Sequence, residues 1–259
     1  MNLLRLVEIL LLLALPACVS NAYSTCERDY SKPPLFDAIG ATTQDGAKIF
    51  SVKKKSWHPP HCVKVWTTKY KGRIYRVTQL PRCEHVETLI TYSSSGETLA
   101  RAKKRFGGIA VCTGSFHHPQ SYCLADFVQK DGEIISSART GRAIVTINHD
   151  GILGISDDYC SIKGQSGISA LALGQRLIPL MRDGFSLSFM NRITERMAIG
   201  LNDNFIFLVQ SKTSIWRLAG FMKRKLPCKT AVNSDGGHVV RGRAPVHIVF
   251  RWKTNARTP

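Results

Sequence analysis

The chain has 259 residues, 44% of them hydrophobic, with 36 Lys and Arg against 18 Asp and Glu and a formal net charge of +18. That apolar content supports a substantial core and excludes global disorder, and the length suits one large domain or two small ones. The positive charge favours an anionic partner: phosphate-bearing glycan, anionic lipid or nucleic acid.

The N-terminus reads as an export signal. Arg5 precedes a short apolar run from Ile9 to Leu15, Pro16 ends it, and Ser20-Asn21-Ala22 has the small residues a signal peptidase reads. Cleavage after Ala22 is the expected processing. The alternative is a lipid anchor at Cys18, because Leu15-Pro16-Ala17-Cys18 resembles a lipobox. The run is shorter than the roughly 20 residues a membrane span needs. About 235 residues remain after cleavage, periplasmic or secreted, where nucleic acid is scarce, so no nucleic-acid partner is expected. Of the eight cysteines, all but Cys18 lie beyond the leader, enough for three disulfides and one odd thiol in an oxidising compartment. Cys62–Cys83 and Cys112–Cys123 are the pairs closest in sequence.

Residues 23–62 are irregular, punctuated by Pro33, Pro34, Pro59 and Pro60. From 63 to 253 the chain reads as one domain. Val63–Thr68, Ile74–Leu80 and Val86–Tyr92 have the alternation and β-branching of strands. Ser94-Ser95-Gly96-Glu97 fits a capping box, and Leu99, Ala102 and Phe106 recur at helical spacing. Ile109–Cys112 is a short strand. Four hairpins are expected next, turning at Asp131-Gly132, Asp150-Gly151, Leu173-Gly174-Gln175 and Asn202-Asp203-Asn204. A second helix spans Ser214 to Lys225, with cations at its last turn and Pro227 beyond. Strands at Lys229–Asn233, Val239–Arg241 and Val246–Trp252 complete an α+β fold: a mostly antiparallel sheet with two principal helices.

The stretch Asn233-Ser234-Asp235-Gly236-Gly237-His238 sets one acid beside two glycines between strands. Asp-Gly is a common turn dipeptide. An acid there also suits proton transfer at a bound substrate, and glycines let a ligand approach the backbone. Three further segments accompany it in order: Gly108–Phe116, Gly167–Gln175 and Glu195–Leu201.

In that order and spacing the four segments resemble the phosphodiester glycosidase domain family. Gly114 and Phe116 match its first motif, Arg196, Ala198, Ile199 and Gly200 its third, and Asn233, Asp235, Gly236 and Gly237 its last. Thr113 stands where the family has Asn, and His238-Val239 replaces its usual Gly-Ser. The resemblance implies an exported hydrolase that cleaves a sugar-1-phosphodiester or related bond in an anionic glycan. It implies catalytic roles for Asp235 and Arg196, and substrate contacts from Thr113, Gly114, Asn233, Gly236, Gly237 and His238. His117 and His118 lie just after the first motif, and either suits a proton carrier, His117 being the catalytic candidate. A guanidinium such as that of Arg196 suits paired hydrogen bonds to phosphate oxygens. Backbone N–H groups of Gly236 and Gly237 suit the same phosphate. The Thr113 and His238 departures motivate the competing reading, a non-catalytic envelope module that binds phosphorylated glycan or lipid by charge.

Most glycosidases use two carboxylates. Asp126, Asp183 and Glu195 are equal candidates for the second. His58, His61, Cys62, Cys83 and His85 have loose zinc-like spacings, but the compartment favours a disulfide there, and no metal or cofactor is expected. The chain has neither a phosphate loop nor a Gly-x-Ser-x-Gly nucleophile elbow.

Overall fold

A computed structural model describes residues 63–137 and 142–253. The expected leader, Cys18, the 23–62 extension and Cys62 lie outside the described residues. Within them, fourteen strands form three antiparallel sheets. The first contains β1 (Lys64–Tyr70), β2 (Arg73–Pro81), β10 (Arg176–Ile178), β11 (Thr194–Leu201), β12 (Phe205–Thr213) and β13 (Thr230–Ser234), in the order β1-β2-β12-β11-β13-β10. The second is β3 (Val86–Thr98), β14 (Arg243–Trp252) and β4 (Ala110–Thr113), with β14 central. In the third, β5 (Val128–Lys130) and β9 (Ser169–Ala172) lie between β6 (Glu133–Ser136) and the hairpin β7 (Ile144–Ile147) and β8 (Leu153–Ser156).

The central strands of the first sheet are buried on both faces, and strand alternation explains how. Along β12, Ile206 and Leu208 point into a core shared with the other two sheets, where Ile248, Phe250, Val145 and Leu171 meet them. Phe207 and Val209 point the other way, into a second core. That core is closed by helix α4 (Ile215–Lys225), whose Ile215, Leu218, Phe221 and Met222 are buried. Phe221 stacks on Tyr75 of β2 with ring centroids 4.0 Å apart. Ser214 caps α4 by accepting from Arg217 N–H, and Lys223, Arg224 and Lys225 occupy the negative end of its dipole. Three shorter helices are α1 (Leu99–Arg105), α2 (Tyr159–Ile162) and α3 (Leu187–Asn191). No helix among the described residues is long and apolar enough to cross a membrane.

The α+β reading and three of the four expected hairpins agree with this fold. At Lys71-Gly72 and Asp131-Gly132 both turn residues have positive φ, the geometry that matches strand twist. Four local expectations are corrected. Ser94–Glu97 belongs to β3, and the cap of α1 is Thr98, which accepts from Arg101 N–H at 3.2 Å. Leu173-Gly174-Gln175 is not a hairpin: β9 pairs with β5 and β7, while β10 pairs with β13 in another sheet. Gly237–Val240 is a 3-10 turn rather than a strand, because Gly237 takes φ +66°. Cys112 and Cys123 are unpaired thiols. Cys112 faces the core with its Sγ 3.4 Å from Ser234 Oγ, whereas Cys123 is exposed.

Gly200 on β11 faces Met222 of α4 and Cys228 beyond it. A Cβ there would lie 2.5 Å from Cys228 Sγ and 2.6 Å from Met222 Cε. Gly200→Ala is expected to destabilise the protein by about 1–3 kcal/mol through overpacking, measured as a lowered urea midpoint. Pairing it with Cys228→Ala should recover part of that loss.

Candidate active site

The four sequence segments meet at the C-terminal end of β13. Met197 and Ala198 of β11 pair with Ser234 and Asn233, and Ser234 Oγ donates to Met197 O at 3.2 Å. On the other side, Gly174 N donates to Asn233 O at 2.7 Å and Asn233 N donates to Gln175 O at 2.8 Å. The Gly108–Phe116 segment reaches the same point: Thr113 Oγ1 donates to Asp235 O at 2.5 Å and lies 2.8 Å from Ser234 Oγ. Asp235 N donates to Gly114 O at 3.3 Å.

Gly114 and Gly236 are required by close approach. A Cβ on Gly114 would sit 2.7 Å from Val246 O, and one on Gly236 would sit 2.6 Å from Glu195 O. Neither distance is tolerable for real carbon atoms.

Asp235 extends from this junction beside His117, with Oδ2 3.5 Å from Nδ1. The His117 side chain is 1% exposed and the Asp235 side chain 11%. Tyr122 stacks against the imidazole. Both His117 nitrogens, Asn233 Oδ1, Gln175 Nε2 and Arg196 Nε are buried without hydrogen-bond partners. Buried polar atoms are nearly always satisfied, and a group of orphans needs an occupant such as water, ion or ligand.

Arg196 is buried and turned toward α3. Its Nη2 donates to Phe189 O at 3.1 Å and Arg192 O at 3.3 Å, and its guanidinium lies over the Phe189 ring. Burial and neighbouring Arg192 lower its pKa to about 10, with the charge of Asp235 opposing the shift. It therefore stays cationic near Asp235, but one arm of the expected phosphate fork is spent on backbone carbonyls. Gly236 N–H is also engaged, donating to Asp235 Oδ1 at 2.8 Å. His238 is exposed on the 3-10 turn and joins it through its carbonyl, which accepts from Gly242 N at 2.7 Å.

Of the three candidate second carboxylates, Asp126 lies within electrostatic reach of Asp235. It is 2% exposed, paired with Arg142, and its pKa is raised to about 6 by burial, with the negative charge of Asp235 adding to the rise against the pull of Arg142. Arg142 in turn lies over Phe116 and Phe185. Asp183 accepts from Arg176 N, and Glu195 pairs with exposed Arg241. His247 on β14 was not foreseen. It is fully buried opposite Thr113, and both its nitrogens lack partners. Its only sequence signal is a histidine inside an apolar strand. No cluster able to hold a metal ion occurs among the described residues.

No model of a known protein family matches the chain, and no curated protein sequence matches it. Solved structures with a related fold include three from different organisms. A hypothetical protein from Synechocystis superposes with TM-score 0.58 at 11% identity over 73% of this chain, which spans 61% of that protein's length. The catalytic domain of zebrafish N-acetylglucosamine-1-phosphodiester alpha-N-acetylglucosaminidase, auto-inhibited by its pro-peptide, gives 0.55 at 15% identity, covering 74% of this chain and 83% of that one. A candidate exported protein from Burkholderia pseudomallei gives 0.51 at 12% identity, covering 69% and 74%. These likenesses show a related fold.

Asp126 and His247 link stability to pH with opposite signs. Burial lowers the His247 pKa to about 4. Between about pH 6.5 and 4 the unfolded chain therefore holds a proton there that the fold excludes, and acid destabilises by about 3 kcal/mol. Nearby Glu97 opposes this shift, and His117 and Arg105 add to it. At Asp126, between about pH 3.8 and 6, the folded state holds the extra proton, so acid stabilises by a similar amount. Urea unfolding at pH 6.5 and pH 4 should show the two nearly cancelling in the wild type. Relative to it, Asp126→Asn should lose stability on acidification, and His247→Gln should gain it.

Proposed function

We propose that the chain is an exported hydrolase that cleaves a glycosyl–phosphate or related glycosidic bond in an anionic glycan. One observation carries this reading. A buried carboxylate, Asp235, stands 3.5 Å from a buried imidazole, surrounded by polar atoms that have no partner of their own. The shared fold with a phosphodiester glycosidase supports it.

In this proposal Asp235 faces the anomeric carbon and stabilises the positive charge that develops as the phosphate departs. His117 exchanges the proton of the attacking water, its imidazole standing 3.5 Å from the Asp235 carboxylate. Asp126, with its pKa near 6, is the second carboxylate and supplies a proton where the leaving group needs one. Phosphate is already a good leaving group, so that help is secondary. Arg196 places a fixed positive charge near Asp235, favouring a substrate that brings an anion. Asn233 Oδ1 and Gln175 Nε2 have unspent hydrogen-bonding capacity for sugar hydroxyls. Sugar hydroxyls of a bound substrate would supply partners to these groups.

The test is turnover of a panel of sugar-1-phosphodiesters by the purified protein. Asp235→Asn and His117→Gln should each lower kcat by roughly 10²–10⁴-fold, while Asp126→Asn lowers it less and removes a limb of the pH profile near 6. Equal turnover by wild type and Asp235→Asn would sink the assignment. Binding without product would favour the non-catalytic envelope module instead.

A further inference from the structure

A second feature lies on the face of the first sheet that looks toward the second. Arg76, Gln210 and Met197 stand abreast on β2, β12 and β11. Lys212 and Glu195 pair two residues further along. Two cavities open along this end of the sheet and share Arg76 and Gln210, and helix α1 and strand β4 line the smaller. One, of about 420 Å³, is lined by Arg73, Ile74, Ser211, Lys212 and Glu195 besides the shared pair. The other, of about 210 Å³, reaches Lys103 of α1 and the backbone of Ile109–Val111.

The charge of this trough is one-sided. Arg73, Arg76, Lys103 and Lys212 line it, and none makes an ion pair among the described residues. Its one acid, Glu195, is taken by Arg241 at 3.0 Å. Unpaired cations gathered around a concave surface focus positive potential. No aromatic side chain among the described residues lines either cavity, which therefore offers no stacking platform of the kind single-stranded nucleic acid uses. Its floor adjoins the backbone of the candidate site, although the Arg196 side chain projects from the opposite face of the sheet. Glu195 precedes Arg196, and its carbonyl lies 2.6 Å from where a Cβ on Gly236 would fall.

We propose that this trough is a binding site for phosphate groups on a glycan chain, lying alongside Asp235 and holding the units that flank the reacting one. As a statement about substrate class it rests on the hydrolase reading, and it makes the substrate a phosphate-bearing polymer rather than a single glycosyl phosphodiester. Lys212 and Arg76 hold phosphate on the sheet side, and Lys103 holds it from α1.

Isothermal titration calorimetry of the full protein distinguishes the two claims. The probes are a synthetic tetrasaccharide linked by phosphodiesters, the corresponding monomeric glycosyl phosphodiester, and a single-stranded oligonucleotide of equal charge. The wild type should bind the tetrasaccharide about tenfold more tightly than the monomer, with the ratio falling as salt rises. In Arg76→Gln/Lys212→Gln the ratio should approach one. Lys103→Gln, on a separate element, should lower it in part. A wild-type ratio near one, or a ratio unchanged in the double variant, overturns the proposal, as does tighter binding of the oligonucleotide through the same residues. Asp235→Asn should keep the ratio. If the wild type shows the ratio and its loss in the double variant yet turns nothing over, the trough stands and the hydrolase reading fails.

Discussion

Two glycines hold this molecule together where three sheets meet. Gly114 donates to Val246 O and accepts from Asp235 N, so the second sheet is joined to the first through one residue. Gly174 donates to Asn233 O and joins the third sheet to the same strand. A methyl group at Gly174 would lie 2.8 Å from Asn233 O, as close as the one Val246 forbids at Gly114. Backbone contact this close needs residues without side chains. Strand β13 is thus clasped from three directions, and the residue after it, Asp235, is held in place by main-chain bonds.

That arrangement has an energetic consequence. A strand end fixed by its neighbours can carry polar groups that a looser loop would turn toward water. Asn233, Gln175, His117 and His247 are instead held in the interior with capacity unspent. Such groups find their partners in buried water or in a ligand. Local departures of this kind concentrate at functional sites, where local and global demands differ. The same rigidity explains why Arg196 is shared between two tasks. It ties α3 to β11 through two carbonyls while its charge remains near Asp235.

Much of the fold was legible because its signals are local. Asp131-Gly132 and Lys71-Gly72 dictate their own turns through positive φ, and β11–β12 turns at Asn202, whose side chain accepts from Asn204 and Phe205 N–H. Ser214 and the trailing cations delimit α4 without help from the rest of the chain. What failed was decided at long range. Apolar flanks around Leu173-Gly174-Gln175 look alike whether the strands pair or part, and only the contact with Asn233 shows that they part. Ser94 and Thr98 offer the same capping chemistry, and β3 continues past Ser94 because β14 pairs with it as far as Thr98. At the site, motif order correctly grouped Thr113, Gly114, Arg196 and Asn233 to Gly237. It did not separate Asp126 from Asp183 and Glu195, since the difference between three carboxylates is which charges surround them after folding. The disulfide expectation at Cys112 failed similarly: proximity in sequence says nothing about which face of β4 a thiol occupies.

The distribution of partners among the cations separates structure from surface chemistry. Arg105, Arg142, Arg176 and Arg251 each meet an acid at a sheet or helix boundary. Arg82 bridges carbonyls of Asn202 and Leu153, joining the first sheet to the third. These guanidiniums act as fixed ties, a role the planar fork performs better than an ammonium. With 36 cations and 18 acids the pairing must run out, and where it does is informative. A surplus spread evenly over the surface would serve solubility alone. Part of the surplus is scattered, as at Lys69, Lys104, Lys130 and Lys163, but Arg73, Arg76, Lys103 and Lys212 surround one concavity whose one acid among the described residues is already engaged. Mutual repulsion among them destabilises the empty protein, and an anionic chain laid between them removes that repulsion.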